Sequence, residues 1–199
     1  MRRSWVPFVL MMGGLAACDG AATTEVARDQ APAPSFSTGS NGVVMSSTGG
    51  GHYALVSGGV TIDVRFAFSA ALRPDGRALG QFHQKLPFQG FEIDIAGEVT
   101  CMATDVPNHR AWVGGVITRN RSTHPYYSGD LFQPGHDAWF RVVDYGEGQD
   151  PPDRTTFLGF EDNPLIKTSA EYCQLKRWLL NDAGTWPVTA GNIQVHRTE

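Results

Sequence analysis

The chain has 199 residues, 41% of them hydrophobic and 18% charged, the make-up of a globular protein with one core of ordinary size rather than of a disordered chain. Its formal charge is −4 and no basic run exceeds two residues, Arg2-Arg3 and Lys176-Arg177, so the clustered Lys and Arg that a phosphate backbone demands are missing, which argues against nucleic acid as a partner.

The first 17 residues read as a secretory signal peptide: Arg2 and Arg3 form a basic start, Trp5 to Leu15 an apolar run, and Ala16 and Ala17 a small-residue exit. A membrane-spanning helix needs about 20 apolar residues. This run is shorter and holds Gly13 and Gly14. Leu15-Ala16-Ala17-Cys18 resembles the lipobox of bacterial lipoproteins. The resemblance implies that Cys18 is acylated, becomes the mature N-terminus and holds the protein to a membrane of the cell envelope, on its extracytoplasmic side. Each buried methylene of an acyl chain contributes about 0.8 kcal/mol, and two or more chains make the attachment durable. A chance cysteine behind an ordinary signal cleavage site is the competing reading. Asp19 resembles the enteric signal for inner-membrane retention, a rule that does not carry across phyla, so inner and outer membrane stay open. Loss of the leader removes Arg2 and Arg3 and leaves 14 basic against 20 acidic residues, a formal −6.

With Cys18 given to lipid, Cys101 and Cys173 remain, in an oxidising compartment where paired thiols persist. A disulfide between them is expected; its loop of about 70 residues corresponds to roughly 4 kcal/mol in the chain-entropy account. Two separate buried thiols are the alternative. No C-x-x-C spacing points to a metal.

From residue 18 to 51 the chain is rich in Ala, Thr, Ser, Gly and Pro, and is expected to be a flexible tether spanning roughly 30 Å. Gly49-Gly50-Gly51-His52-Tyr53-Ala54 fits a loose dinucleotide-binding pattern, but it precedes a strand and opens no helix, so it is rejected. The folded domain is expected over 52–199. In "VTIDVRFAFSA" Val60, Ile62, Val64, Phe66, Phe68 and Ala70 share one face and Thr61, Asp63, Arg65 and Ser69 the other, a clear strand. Pro74-Asp75-Gly76 makes a turn, and "RALGQFHQKL" returns as its partner. The next strand sets Phe91, Ile93, Ile95, Val99, Cys101 and Ala103 on its apolar face, with Gly97 marking a bend or bulge. "AWVGGVITR" pairs back, a loop runs from Asn120 to His136, and "DAWFRVVDY", "RTTFLGF" and "NIQVHR" supply further strands. Ser169 to Leu180 is predicted as a short helix with Ser169 as N-cap and Tyr172, Leu175 and Leu179 on one side. Cys173 would then fasten that helix to the strand bearing Cys101.

Seven or eight antiparallel strands with one-sided alternation predict an all-β fold: a single antiparallel β-barrel, closed or nearly closed, with one short helix, and a β-sandwich as the alternative. Long strands broken by glycine favour closure, which also removes exposed edges. An outer-membrane barrel would need its apolar faces outward. "AWVGGVITR", "FRVVDYGEGQDPPD" and "GNIQVH" behind a strand like "VTIDVRFAFSA" resemble segments of uncharacterised secreted or lipid-anchored bacterial proteins, a family with no established activity.

The chain has no H-E-x-x-H, no G-x-S-x-G, no P-loop and no haem-attachment pair. Two constellations remain. Asp144, Glu147, Asp150 and Asp153 on a Gly- and Pro-rich turn can gather oxygen ligands about Ca²⁺, or serve only the geometry of a solvated turn. His124, Asp130, His136 and Asp137, beside Tyr126, Tyr127 and Phe132, can hold a metal or act as a general base, or be ordinary loop residues. Aromatics at a barrel mouth can also line a pocket. His52, His83, His109 and His196 read as surface residues, and Trp112, Trp139, Trp178 and Trp186 as packing. The expected function is therefore a lipid-anchored binding or structural module of the envelope, taking a small apolar ligand or an envelope partner. A loop-end enzyme around His124, His136 and Asp137, or a Ca²⁺-stabilised module, are the alternatives.

Overall fold

The computed structural model describes residues 42–147 and 150–197; Cys18, with the rest of the leader and most of the tether, lies outside them. The chain forms one antiparallel sheet whose strands β1 (Met45–Ser57), β2 (Val60–Leu72), β3 (Ala78–Phe88), β4 (Phe91–Asp105) and β5 (Arg110–Asn120) follow one another as neighbours. After the Asn120–His136 loop, β6 (Asp137–Val143) pairs with β5; β7 (Arg154–Thr155) then joins β6 to β9 (Trp186–Arg197), and β9 pairs with β1. The circuit is a closed barrel of eight strands. A ninth, β8 (Gly159–Phe160), pairs with β6 alone and carries the line of β7 along the same edge after Thr156–Leu158 break it. A single short helix, α1 (Ser169–Leu175), lies against β4, β5 and β6 from outside.

Alternation places the core as read. Ile62, Val64, Phe66, Phe68 and Ala70 of β2 are buried, while Thr61, Asp63 and Arg65 are exposed. The apolar faces point inward, opposite to the arrangement an outer-membrane barrel requires. Rings fill the interior: Phe140 lies 5.1 Å from Phe68 and 6.1 Å from Phe82 between ring centroids.

Three expectations are corrected. The first concerns the tether, whose end is in fact strand: β1 begins at Met45 and takes in Gly49–Gly51. Those glycines are a packing requirement. A Cβ on Gly49 would stand 2.6 Å from the Phe68 ring and 2.9 Å from Ile193, and Gly51, at φ 141°, meets the backbone of β9.

The second correction concerns Cys101. The register of β4 on β5 slips at Gly97, as expected, and again between Val99 and Cys101. The second slip adds one residue, turns Met102 into the core and sends Cys101 and Ala103 to the outer face. There the Cys101–Cys173 disulfide ties α1 to the wall, with Cα atoms 6.2 Å apart. Trp112, Trp139, Ile166 and Tyr172 form a second apolar cluster under and beside the helix, so the middle of β5 and β6 is buried on both faces.

The third concerns the helix. Thr168, not Ser169, is the N-cap, its hydroxyl accepting from Glu171 N at 3.1 Å. Lys176 ends the helix at φ 46°, so Leu179 lies beyond it; Leu175 and Leu179 are exposed, and only Tyr172 of the expected stripe is buried.

Candidate functional site

The strongest candidate is an apolar cleft of about 230 Å³ at one mouth of the barrel. Two hairpins build it. β1 and β2 are joined through Gly58-Gly59 (φ 57° and 78°), β3 and β4 through Gln89-Gly90 (φ 52° and 82°), and two central residues at positive φ match the twist of paired strands. The hairpins bring Leu55, Val56 and Ser57 from β1, Leu86 and Phe88 from β3 and Ile93 from β4 to one end. Tyr127 from the long loop, Phe157 from the break between β7 and β8, and Trp186 at the start of β9 complete the lining. Val56, Val60 and Phe91 stay exposed at the hairpin ends.

Behind this apolar surface sits a small polar relay. Tyr53, wholly buried, donates to Gln84 Oε1 at 3.1 Å, and Gln84 Nε2 donates to Thr156 O at 3.1 Å, one residue from Phe157. Burial pushes the Tyr53 phenol well above its ordinary range, so it stays a neutral donor. Trp186 stacks on Tyr53 at 6.5 Å. The long loop is held in place by Asn120, whose Nδ2 donates to Tyr127 O at 2.7 Å and to Phe132 O at 2.9 Å. Tyr127 then packs on Phe132 (5.1 Å), Phe157 (5.9 Å) and Phe160 (6.2 Å), and burial raises its phenol also.

The loop residues singled out for chemistry are engaged separately. His124 packs against Phe88 (5.4 Å), Phe91 (5.5 Å) and Tyr127 (5.4 Å), and its Nδ1 accepts from Tyr126 N at 3.2 Å. His136 Nδ1 bonds to Glu161 Oε2 at 3.0 Å, and Asp137 N donates to Glu161 Oε1 at 2.7 Å. Burial alone would raise the Glu161 carboxyl, but those two hydrogen bonds and the imidazole charge outweigh it and lower it. Asp137 Oδ2 accepts Ser169 N at 2.9 Å, which fastens the start of α1 to β6. Asp130 opens a short 3₁₀ turn. The two imidazoles thus have different partners, and the Asp137 carboxylate serves the helix.

The acidic turn has a structural duty that its residue types did not reveal. β7 pairs with β9 only at Trp186 and Pro187, so among the described residues most of that edge of β9 has no neighbouring strand. Asp153 takes the place of one: its O accepts Val188 N at 2.7 Å, its Oδ2 accepts Ile193 N at 2.7 Å and its Oδ1 accepts Tyr145 N at 2.9 Å. Asp144 Oδ2 accepts Val195 N at 2.9 Å and its Oδ1 accepts Gly146 N at 2.7 Å. Two carboxylates therefore close the barrel seam. Burial raises the Asp153 carboxyl against the pull of the amides, with Asp144 and Glu147 adding repulsion. Glu147 reaches Asn192 at 3.4 Å and Asp150 is exposed. Among the described residues no three His, Cys, Asp or Glu side chains converge to hold a metal. A depression of about 370 Å³ lies beside this seam, walled by Val188–Asn192 and the turn. The mouth is the better candidate for an apolar ligand, because its lining is mostly apolar and aromatic, whereas the carboxylates at the seam already hold backbone amides.

No family model, no curated protein and no solved structure matches this chain.

Proposed function

We propose that the protein is a lipid-anchored binding module of the bacterial cell envelope, held on the extracytoplasmic side through Cys18, and that its ligand is a small apolar group seated in the barrel mouth. The lipobox-like Leu15-Ala16-Ala17-Cys18 supports the anchor, and the Cys101–Cys173 disulfide suits an oxidising compartment. The observation that carries the binding role is the cleft formed by Leu55, Leu86, Phe88, Ile93, Tyr127, Phe157 and Trp186. Because the interior beneath is packed with rings, the ligand enters no deeper than the mouth. A space of about 230 Å³ exceeds the roughly 150 Å³ that suffices for benzene and falls short of a whole lipid. It suits one aromatic ring or the end of an acyl chain.

The test is native mass spectrometry of the protein purified from its host membranes, together with fluorescence titration using N-phenyl-1-naphthylamine. Ser57→Trp, at the rim, should block the probe, whereas Ser69→Trp, outside the cleft lining, should leave its binding unchanged. Equal binding by both variants, with no retained ligand, would refute the mouth site. Palmitate labelling abolished by Cys18→Ser tests the anchor separately.

A further inference from the structure

Beyond α1 the chain reads Lys176-Arg177-Trp178-Leu179-Leu180, and its two leucines are the least sheltered apolar pair in sequence: Leu179 is 55% and Leu180 90% exposed. Their exposure is not that of a loose loop. Trp112 Nε1 donates to Arg177 O at 2.9 Å, and the Trp178 ring lies under the Arg110 guanidinium (4.6 Å) and the Arg141 guanidinium (5.3 Å). Trp178 Nε1 donates to Asp182 Oδ1 at 2.7 Å, and Arg141 Nη2 donates to Ala183 O at 2.9 Å. Both feet of the tip are thus pinned to the barrel wall. At the start and end of the tip Lys176, Asn181 and Asp182 hold positive φ (46°, 54° and 53°), a conformation that non-glycine residues adopt at a cost. The strained turns hold the leucines outward: among the described residues Leu180 is left almost uncovered and Leu179 about half covered.

We propose that this tip inserts Leu179 and Leu180 into the surface of a bilayer that carries anionic headgroups. The charge pattern selects that occupant. Lys176 and Arg177 are exposed and sit close to the leucines, and besides Arg2-Arg3 they are the only adjacent basic pair in a chain whose formal charge is −4. The nearest carboxylate beyond the tip, Asp182, is engaged by Arg110, Trp178 and Tyr145. Apolar side chains beside Lys and Arg match the boundary between acyl chains and phosphate headgroups, the apolar part buried and the cations at headgroup level. The contact stands apart from acylation of Cys18 and would set the orientation of the barrel on the membrane.

The test uses the full-length chain carrying Cys18→Ala, so that no acyl chain contributes, with the environment-sensitive dye NBD on Leu180→Cys or, as a control, on Asp75→Cys in the β2–β3 turn. Vesicles of phosphatidylcholine with phosphatidylglycerol should shift the emission of the label at 180 to the blue and leave that at 75 unchanged. Vesicles of phosphatidylcholine alone should do much less. In sedimentation, Leu179→Ser should lower partition onto the mixed vesicles about tenfold. Lys176→Glu with Arg177→Glu should lower it by on the order of tenfold or more, and salt should weaken binding of the parent. Asp75, Lys176, Arg177, Leu179 and Leu180 are all exposed, so the near-ultraviolet circular dichroism of each variant should match the parent. Absence of a shift at 180, or an equal shift at 75, would overturn the proposal. So would a shift without vesicles that grows with protein concentration, which would assign the tip to a second copy of the chain.

Discussion

Replacing Asp153 with alanine tests whether the acidic turn is a seam or an ion site. The side chain supplies both of its oxygens to backbone amides, Ile193 N at 2.7 Å and Tyr145 N at 2.9 Å. Ile193 is wholly buried, so water does not replace the lost acceptor. A hydrogen bond to a charged group contributes about 1.5–3 kcal/mol, and the Ile193 amide would also be left unsatisfied. Against this stands the relief of holding a carboxylate out of water, the same burial that raises its titration. The Tyr145 amide lies where solvent reaches. The net expectation for Asp153→Ala is a loss of about 3 kcal/mol in urea unfolding. Asp153→Asn keeps one acceptor oxygen and should lose about half of that. Hydrogen exchange supplies the local readout: protection of the Ile193 amide should collapse in Asp153→Ala, while Val195, which bonds to Asp144, keeps more of its own. Chelation of calcium from the wild type should leave both stability and these protections unchanged. A change in stability below about 0.5 kcal/mol with Ile193 still protected would refute the seam. Collapse of the wild type on chelation would restore the ion.

The remaining predictions address other joints of the fold. Gly97→Ala places a Cβ 2.3 Å from Phe82 Cζ and 2.4 Å from Val116 O, and since the second atom is backbone the strain is not relieved by a rotamer. It should cost at least about 2 kcal/mol, measured by chemical unfolding, and Phe82→Leu should restore only part; an unchanged midpoint would contradict the packing. Cys101→Ala with Cys173→Ala opens a loop spanning 72 residues and should lower stability by about 4 kcal/mol, and reduction of the wild type should give a like fall in Tm. Two carboxyls should respond oppositely to pH. Glu161 titrates below its ordinary range, so what it contributes is present above about pH 4.3 and fades as pH falls through its lowered value; the gap between wild type and Glu161→Gln should close in acid. Asp153 titrates above its ordinary range, so its contribution is fullest below about pH 3.9 and lessens as pH rises through its raised value; the gap to Asp153→Asn should widen in acid. Slopes of the same sign for the two variants would refute the assignment.

The sequence carried the barrel wherever a strand has one wet face. β2 alternates along its length, and its hairpin with β3 turns at Pro74-Asp75-Gly76, where Gly76 N donates to Arg73 O at 3.0 Å. β1 was illegible because the residues that let it approach Phe68, Ile193 and the backbone of β9 are glycines, and a run of glycines carries the composition of a tether. β5 and β6 lose their alternation because α1 and the Trp112–Trp139 cluster cover the outer side too. The slip after Val99 reversed the faces of Cys101 and Met102, and nothing in local propensity marks a single inserted residue. The mouth cleft was legible only as aromatics in a loop. Its other walls come from strand ends far apart in the chain, Leu55 and Trp186 among them.

The acidic turn shows why chemistry is harder to read than fold. A carboxylate that accepts from a cation and one that accepts from backbone amides are the same residue type in the same Gly- and Pro-rich setting, and both need a loop that lets the oxygens converge. What separates them is the partner, and here the partners of Asp153 and Asp144 are Ile193 and Val195, forty or more positions away on a strand edge that is bare only because β7 is two residues long. Had β7 continued along β9, ordinary ladder bonds would have met those amides and the carboxylates would have stood free to face an ion. The short strand therefore decides the role of the turn: its carboxylates are spent on the amides of β9 that β7 leaves unpaired.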